Sequence, residues 1–166
     1  MTEPNGKSLQ EQFAPDNACF GCGPANPKGL RIRSFESPTQ TPGQPIQYVA
    51  TFIPEPQFEA FPGVLNGGIC GALLDCHSNW AGCATMMAAT GATTPPCTVT
   101  ASFSVQLKRP TPTDAPVTIT AWVSSLSDDK TSAVVEAKLE SHGKVTATCK
   151  GTFVAVTQGH PAYHRW

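Results

Sequence analysis

Apolar residues recur in two different rhythms along this chain, and the change of rhythm divides it. From Asn66-Gly67-Gly68-Ile69 through Trp80 to Met87 the spacing follows a helix, with no proline before Pro95. At 100° per residue Ile69, Ala72, Leu73, Cys76, Trp80, Cys83, Ala84 and Met87 share one side and read as core. Gly68, Gly71, Asp75, Ser78, Asn79 and Gly82 share the other. That second stripe is small and polar, with one carboxylate at its centre. Glycine in a helix interior costs about 0.5–1 kcal/mol relative to alanine, so three on one stripe imply that something approaches closely. A ligand in a cleft and a neighbouring element packed tightly both satisfy the pattern.

Beyond the break at Thr93-Thr94-Pro95-Pro96 the rhythm becomes period two. Val99, Ala101, Phe103, Val105 and Leu107 alternate with polar residues and predict one strand. Val117 to Val123, Ala133 to Leu139 and Val145 to Phe153 predict three more, joined by short links at Arg109–Asp114, Ser127–Lys130 and His142-Gly143. Strands with such short links form an antiparallel sheet. Ile46 to Ile53 predicts a strand before the helix, Leu30 to Phe35 a shorter one, and Pro54 to Gly63 a proline-stiffened loop. The whole reads as α+β, with one long helix wrapped by five or six antiparallel strands. Residues 1–18 read as a flexible polar arm, 19–157 as the domain and 158–166 as a tail.

Composition narrows the function. At 166 residues the chain suits one domain. Only 14% of residues are charged and the net charge is −1, which offers no field for nucleic acid or an anionic membrane. So little charge suggests that part of the surface is covered by another subunit. No apolar run is long enough to span a membrane, and the N-terminus lacks the apolar core of a secretory signal. Seven cysteines, an odd number with several on the helix, read as small hydrophobes in a reducing compartment, hence the cytoplasm.

Cys19-Phe20-Gly21-Cys22 invites a metal or redox reading. Zinc takes four ligands, and the only remote pair of suitable spacing is His160 and His164 in the tail. Packing of the two thiols is preferred, with no metal and no cofactor expected. His77 sits about 200° from Asp75 around the helix, so the two cannot form an acid–base dyad, and His77 reads as a packing or interface residue.

The motifs carry a resemblance. Cys-Phe-Gly-Cys-Gly-Pro, Asn-Pro-Lys-Gly-Leu, and Asn-Gly-Gly-Ile with an aspartate nine residues after the Asn resemble the phenylacetate-degradation (PaaI-like) type of acyl-CoA thioesterase. Thr100 and Arg109-Pro110 continue the match. The resemblance implies the hotdog fold and hydrolysis of an acyl or aryl-acyl thioester. It implies Asp75 as nucleophile or general base, the Gly67 N–H as donor to the thioester carbonyl, and Thr100 as the residue that places the carboxylate or the water. The family has His-Gly-Gly where this chain has Asn66-Gly67-Gly68; an amide still donates a hydrogen bond but does not shuttle a proton. Gly68, Gly71, Ser78 and Asn79 are expected to line the substrate cleft, and Lys108 and Arg109 to meet CoA phosphates.

The chemistry suits these roles. A helix start presents unpaired N–H groups to an oxyanion, worth roughly 2.7–4 kcal/mol in the transition state, and a thiolate leaves without a strong acid. Gly67 and Asp75 are about 12 Å apart on one helix, so a single carbonyl must meet Gly67 of one subunit and Asp75 of another. A homodimer at least is expected, with a tetramer left open. A non-catalytic acyl-CoA or acyl-carrier-protein binder and a hotdog hydratase remain as alternatives.

Overall fold

The structure, a computed structural model, describes residues 6–163. Strands β1 (Phe35–Glu36), β2 (Gln47–Phe52), β5 (Thr98–Leu107), β6 (Val117–Leu126), β7 (Ser132–Ser141) and β8 (Lys144–Ala155) form one antiparallel sheet. Its order is β1-β2-β6-β7-β8-β5, which leaves β5 at an edge. A small hairpin, β3 (Glu59–Phe61) and β4 (Val64–Leu65), turns at Gly63 and leads into the long helix. Pro54 to Gly63, expected as a loop, is therefore a 3-10 turn followed by most of this hairpin.

Alternation fixes which face of the sheet is covered. On β7 every second residue from Ala133 to Ser141 is buried, and the residues between are half-exposed. Glu136 and Lys138 on the other face meet Lys150 and Glu140 at 3.3 and 3.0 Å. Against the inner face lies helix α2 (Gly67–Thr90), capped by Gly91 in the left-handed conformation that glycine adopts without strain. Phe153, Val135, Ile119 and Leu139 from the sheet and Leu73, Leu74 and Trp80 from the helix are fully buried or within 1% of it. Each such side chain contributes about 1.5–3 kcal/mol by leaving water.

The two-faced helix of the sequence reading needs correction. Thirteen of the 24 residues of α2 are buried, and they lie all round its middle. The sheet takes the small stripe: a Cβ placed on Gly82 would meet Val135, Phe153 and Ala133 at 3.4–3.7 Å. Gly82 therefore serves close packing, not a cleft. The Ala72–Cys76–Trp80 stripe faces the N-terminal turn, which lies over Cys76 and Trp80. Met86 is buried where Met87 was expected.

The N-terminal segment also differs from expectation. Helix α1 (Leu9–Phe13) carries a capping box between Ser8 and Glu11, and Ser8, Gln10 and Ala14 are buried. Ser34 ties it down: its N–H donates to Gln10 Oε1 at 2.8 Å, and its Oγ accepts from Gln10 Nε2 at 2.8 Å. Within the stretch expected as a loose arm, Ser8, Gln10, Ala14 and Asn17 are thus buried while the residues around them are exposed or half-exposed. The strand predicted from Leu30 to Phe35 shrinks to Phe35–Glu36. Arg31 is left-handed at φ 52°, and the N–H groups of Leu30 and Ile32 donate to Phe20 and Gly21 instead of to a strand.

His77 is fully buried and satisfied at both ring nitrogens. Its Nδ1 accepts from Ser34 Oγ at 2.8 Å, and its Nε2–H donates to the Tyr48 carbonyl at 3.1 Å. Burial holds its pKa down to about 4. The unfolded chain takes this proton near 6.5, so folding opposes protonation between those values. Stability contributed by the neutral ring is whole above pH 6.5 and is lost as pH falls towards 4, by about 1.4 kcal/mol per pH unit. Urea unfolding at stepped pH should show this slope in the wild type and lose it in His77→Gln.

Candidate active site

Two features flank the exposed edge of the sheet, one at the start of α2 and one at its third turn. At the start, Asn66 is the N-cap: its side-chain oxygen accepts from the Gly68 N–H at 2.8 Å. The cap itself is held, since Asn66 N–H donates to Phe58 and Leu65 N–H donates to Thr111. Gly67 follows as the first helical residue, whose N–H has no acceptor within the helix. A Cβ on Gly67 would lie 2.8 Å from Leu107 Cδ1, so the end of β5 stands over this glycine. Phe61, Val64, Leu65, Cys70 and Leu107 line an apolar groove of about 340 Å³ beside it.

Two turns on, Thr100 Oγ1 donates to Asp75 Oδ1 at 2.8 Å. Asp75 is half-buried, and its charge helps burial raise the neighbouring Cys149 thiol to about 11. The carboxylate therefore faces the seam between α2 and the β5 side of the sheet. Thr98 Oγ1 donates to Asn79 Oδ1 at 2.6 Å in the next turn. These contacts contradict a plain alternation of β5. Thr100 and Leu107 both reach α2 although they stand seven positions apart, an odd offset that one uninterrupted strand does not allow. The register against β8 shifts between Thr100 and Ser102, and this bulge switches the parity. The apolar set read from Val99 to Leu107 is thereby split, and the two threonines turn inward.

The remaining expected site residues are dispersed. Gly71 is buried with open space around its Cβ position, next to the turn that carries Asp75. Gly68 is exposed and its N–H is taken by the cap, whereas the Gly67 N–H has no acceptor within the helix. Ser78 and Asn79 are buried inside the helix–sheet seam. Lys108 and Arg109 are exposed just beyond β5, and Arg109 borders the apolar groove. His160 lies at the described end of the chain, whereas His164 falls outside the described residues. Sequence reasoning missed the groove at Phe61 and Leu107, because its walls come from separate elements.

With this geometry in hand, comparison with solved structures is decisive for the fold. A thioesterase superfamily protein from Shewanella loihica PV-4 superposes with a TM-score of 0.55 at 25% identity, over 76% of this chain and 91% of that one. The PaaI protein of the E. coli phenylacetic acid degradation operon superposes at 0.57, with 17% identity over 67% of this chain and 73% of that one. A phenylacetic acid degradation-related protein from Ralstonia eutropha JMP134 gives 0.54, with 17% identity over 66% and 76%. This is the hotdog fold of the thioesterase superfamily. No family model matches the sequence, and no curated protein does. The resemblance read from the motifs thus holds at the level of the hotdog fold.

In a hotdog chain the start of the central helix has to be stable to present its N–H groups. Asn66→Ala should cost about 0.5–2 kcal/mol in chemical unfolding, while Asn66→Asp, which keeps the cap oxygen, should cost much less.

Proposed function

We propose that this protein is an acyl-CoA thioesterase whose active site is shared between two subunits. The observation that carries this reading is the placement of two half-sites at opposite ends of one exposed edge strand. Leu107 marks the Gly67 end of β5, and Thr100, bonded to Asp75, marks the other. Most of β5 between them is exposed, including Phe103 at 45% and Leu107 at 59%, a surface that invites pairing. Two β5 strands paired about a two-fold axis near Phe103 set Leu107 of one subunit opposite Val99 of the other. Gly67 of one chain then approaches Asp75 of its partner, which the separation of about 12 Å within one helix forbids in the monomer.

The acyl group lies in the apolar groove at Phe61 and Leu107, with its carbonyl oxygen on the Gly67 N–H. Asp75 of the other subunit, oriented by Thr100, acts as nucleophile or activates water at the carbonyl carbon. The carbon–sulfur bond breaks and CoA leaves as thiolate; where Asp75 itself attacks, water then cleaves the acyl–Asp75 anhydride, and in either case the acid is released and the Asp75 carboxylate regenerated. Arg109, which borders the groove, and the adjacent exposed Lys108 are the groups assigned to the CoA phosphates in this reading. Buried and bonded at both nitrogens, His77 is not available as the acid–base residue that a hydratase needs. No helix is long and apolar enough to cross a membrane among the described residues. The odd count of seven cysteines, several of them on the helix, supports the reading of a reducing compartment and hence the cytoplasm.

A panel of acyl- and aryl-acyl-CoA thioesters tests the activity. Asp75→Asn should lower kcat by about 10²–10⁴ while keeping ligand binding. Absence of turnover by the wild type on every thioester would instead identify a binder. Gly67→Pro removes the donor at a first helical position that accepts proline. Its Cβ displaces the end of the Leu107 side chain, so the variant is checked for retained fold and ligand binding, and kcat should fall by about 10²–10³. The two inactive variants, mixed under subunit exchange, should recover about a quarter of wild-type activity, because half the dimers then hold one intact site. No recovery despite proven exchange refutes the shared site.

A further inference from the structure

Three of the seven cysteines converge on the side of α2 that faces the N-terminal turn. The Sγ atoms of Cys19, Cys22 and Cys76 all lie within 4.8 Å of one another, and those of Cys19 and Cys76 are 3.9 Å apart. That is far beyond a disulfide bond of about 2.05 Å. It matches the spacing of sulfurs around one cation, which metal–sulfur distances of about 2.3 Å place roughly 3.8–4.0 Å apart.

The turn is built around these atoms. Asn17 Oδ1 accepts from the Cys19 N–H at 2.7 Å, and Gly23 N–H donates to the Cys19 carbonyl at 3.0 Å. Leu30 and Ile32 strap its outer side through Phe20 and Gly21. A Cβ on Gly21 would lie 2.3 Å from Cys76 Sγ, so only glycine lets the turn close on the helix. Cys19 Sγ lies 3.9 Å from Cys76 Sγ, and Trp80 Nε1–H donates to Cys22 Sγ at 3.3 Å. Donors to sulfur of this kind are the outer shell that steadies a thiolate ligand. Simple packing of apolar thiols would not require the sulfur-directed indole N–H.

We propose that Cys19, Cys22 and Cys76 bind one Zn²⁺, with water as the fourth ligand, and that the ion clips the N-terminal turn to the central helix. Three thiolates with no carboxylate or imidazole in the cluster select a thiophilic d¹⁰ cation over Mg²⁺ or Ca²⁺. Cys22 is buried, while Cys19 and Cys76 keep partial exposure, which admits the water. The third ligand is Cys76 on the helix, in place of the tail histidines weighed from the sequence. Because Cys76 adjoins Asp75, the clip fixes the helix turn that carries the carboxylate. The assignment is independent of thioester hydrolysis.

The test uses the untagged full chain, reduced and stripped of metal. Titration with Co²⁺ should give thiolate-to-cobalt charge transfer and the intense visible bands of four-coordinate cobalt, displaced stoichiometrically by one Zn²⁺ per chain. Zinc should also raise Tm. Cys76→Ser should lose the bands, and Cys97→Ser, outside the cluster, should keep them. Cys19→Ser, altered on the half-exposed turn, makes the same comparison should Cys76→Ser not fold. Absence of the bands in the wild type, bands that survive loss of a cluster cysteine, or uptake of Cu⁺ with neither Co²⁺ nor Zn²⁺ would overturn the zinc site.

Discussion

Everything in this fold follows from burying a 24-residue helix that has no fully wet side through its middle. A helix apolar or small on all sides has to be covered on all sides, and one sheet covers only part of it. The sheet takes the side where Gly82 permits close approach, with Val135 and Phe153 against it. The N-terminal turn and α1 take most of the remainder through Cys22, Trp80, Gln10 and Ser34. What is left uncovered is informative: the first turn at Gly67, and the seam along β5 where Asp75 meets Thr100. Both half-sites of the proposed thioesterase lie where the wrapping stops.

The edge strand gives those two openings their relation. β5 bonds to β8 on one side, and its other side pairs with no strand among the described residues. A hydrophobic edge carrying Phe103 and Leu107 is costly to leave in water, and pairing with a copy of itself relieves that cost. The outer face of the sheet, in contrast, bears Glu136–Lys150 and Lys138–Glu140 pairs and is built for solvent. Scarcity of charge in the whole chain is thus unevenly distributed, and the uncharged part includes the β5 edge.

Buried polar groups show the same economy. His77 bridges three segments, Ser34 near β1, Tyr48 on β2 and the helix itself, while staying neutral. In a core made largely of alanine, leucine and cysteine it supplies direction that apolar contacts lack. Asn79 with Thr98 and Asp75 with Thr100 repeat the device along β5. One turn apart on the helix, the two pairs pin the edge strand to α2 while orienting the carboxylate.

Periodicity alone determined the helix, the four long strands of the second half and the strand before the helix, because each alternates or repeats over enough residues to be unambiguous. The glycines and asparagine at 66–68 marked the helix start, since cap chemistry is local. Tertiary structure decided the rest. The bulge after Thr100 lies in a run whose alternation looks unbroken, so only pairing with β8 reveals which residues face the helix. The burial of Ser8 and Gln10 depends on Ser34, and the meeting of Cys76 with Cys19 on a turn 57 residues away in sequence. Local chemistry is written in neighbouring residues; contacts between distant segments exist only once the helix has been wrapped.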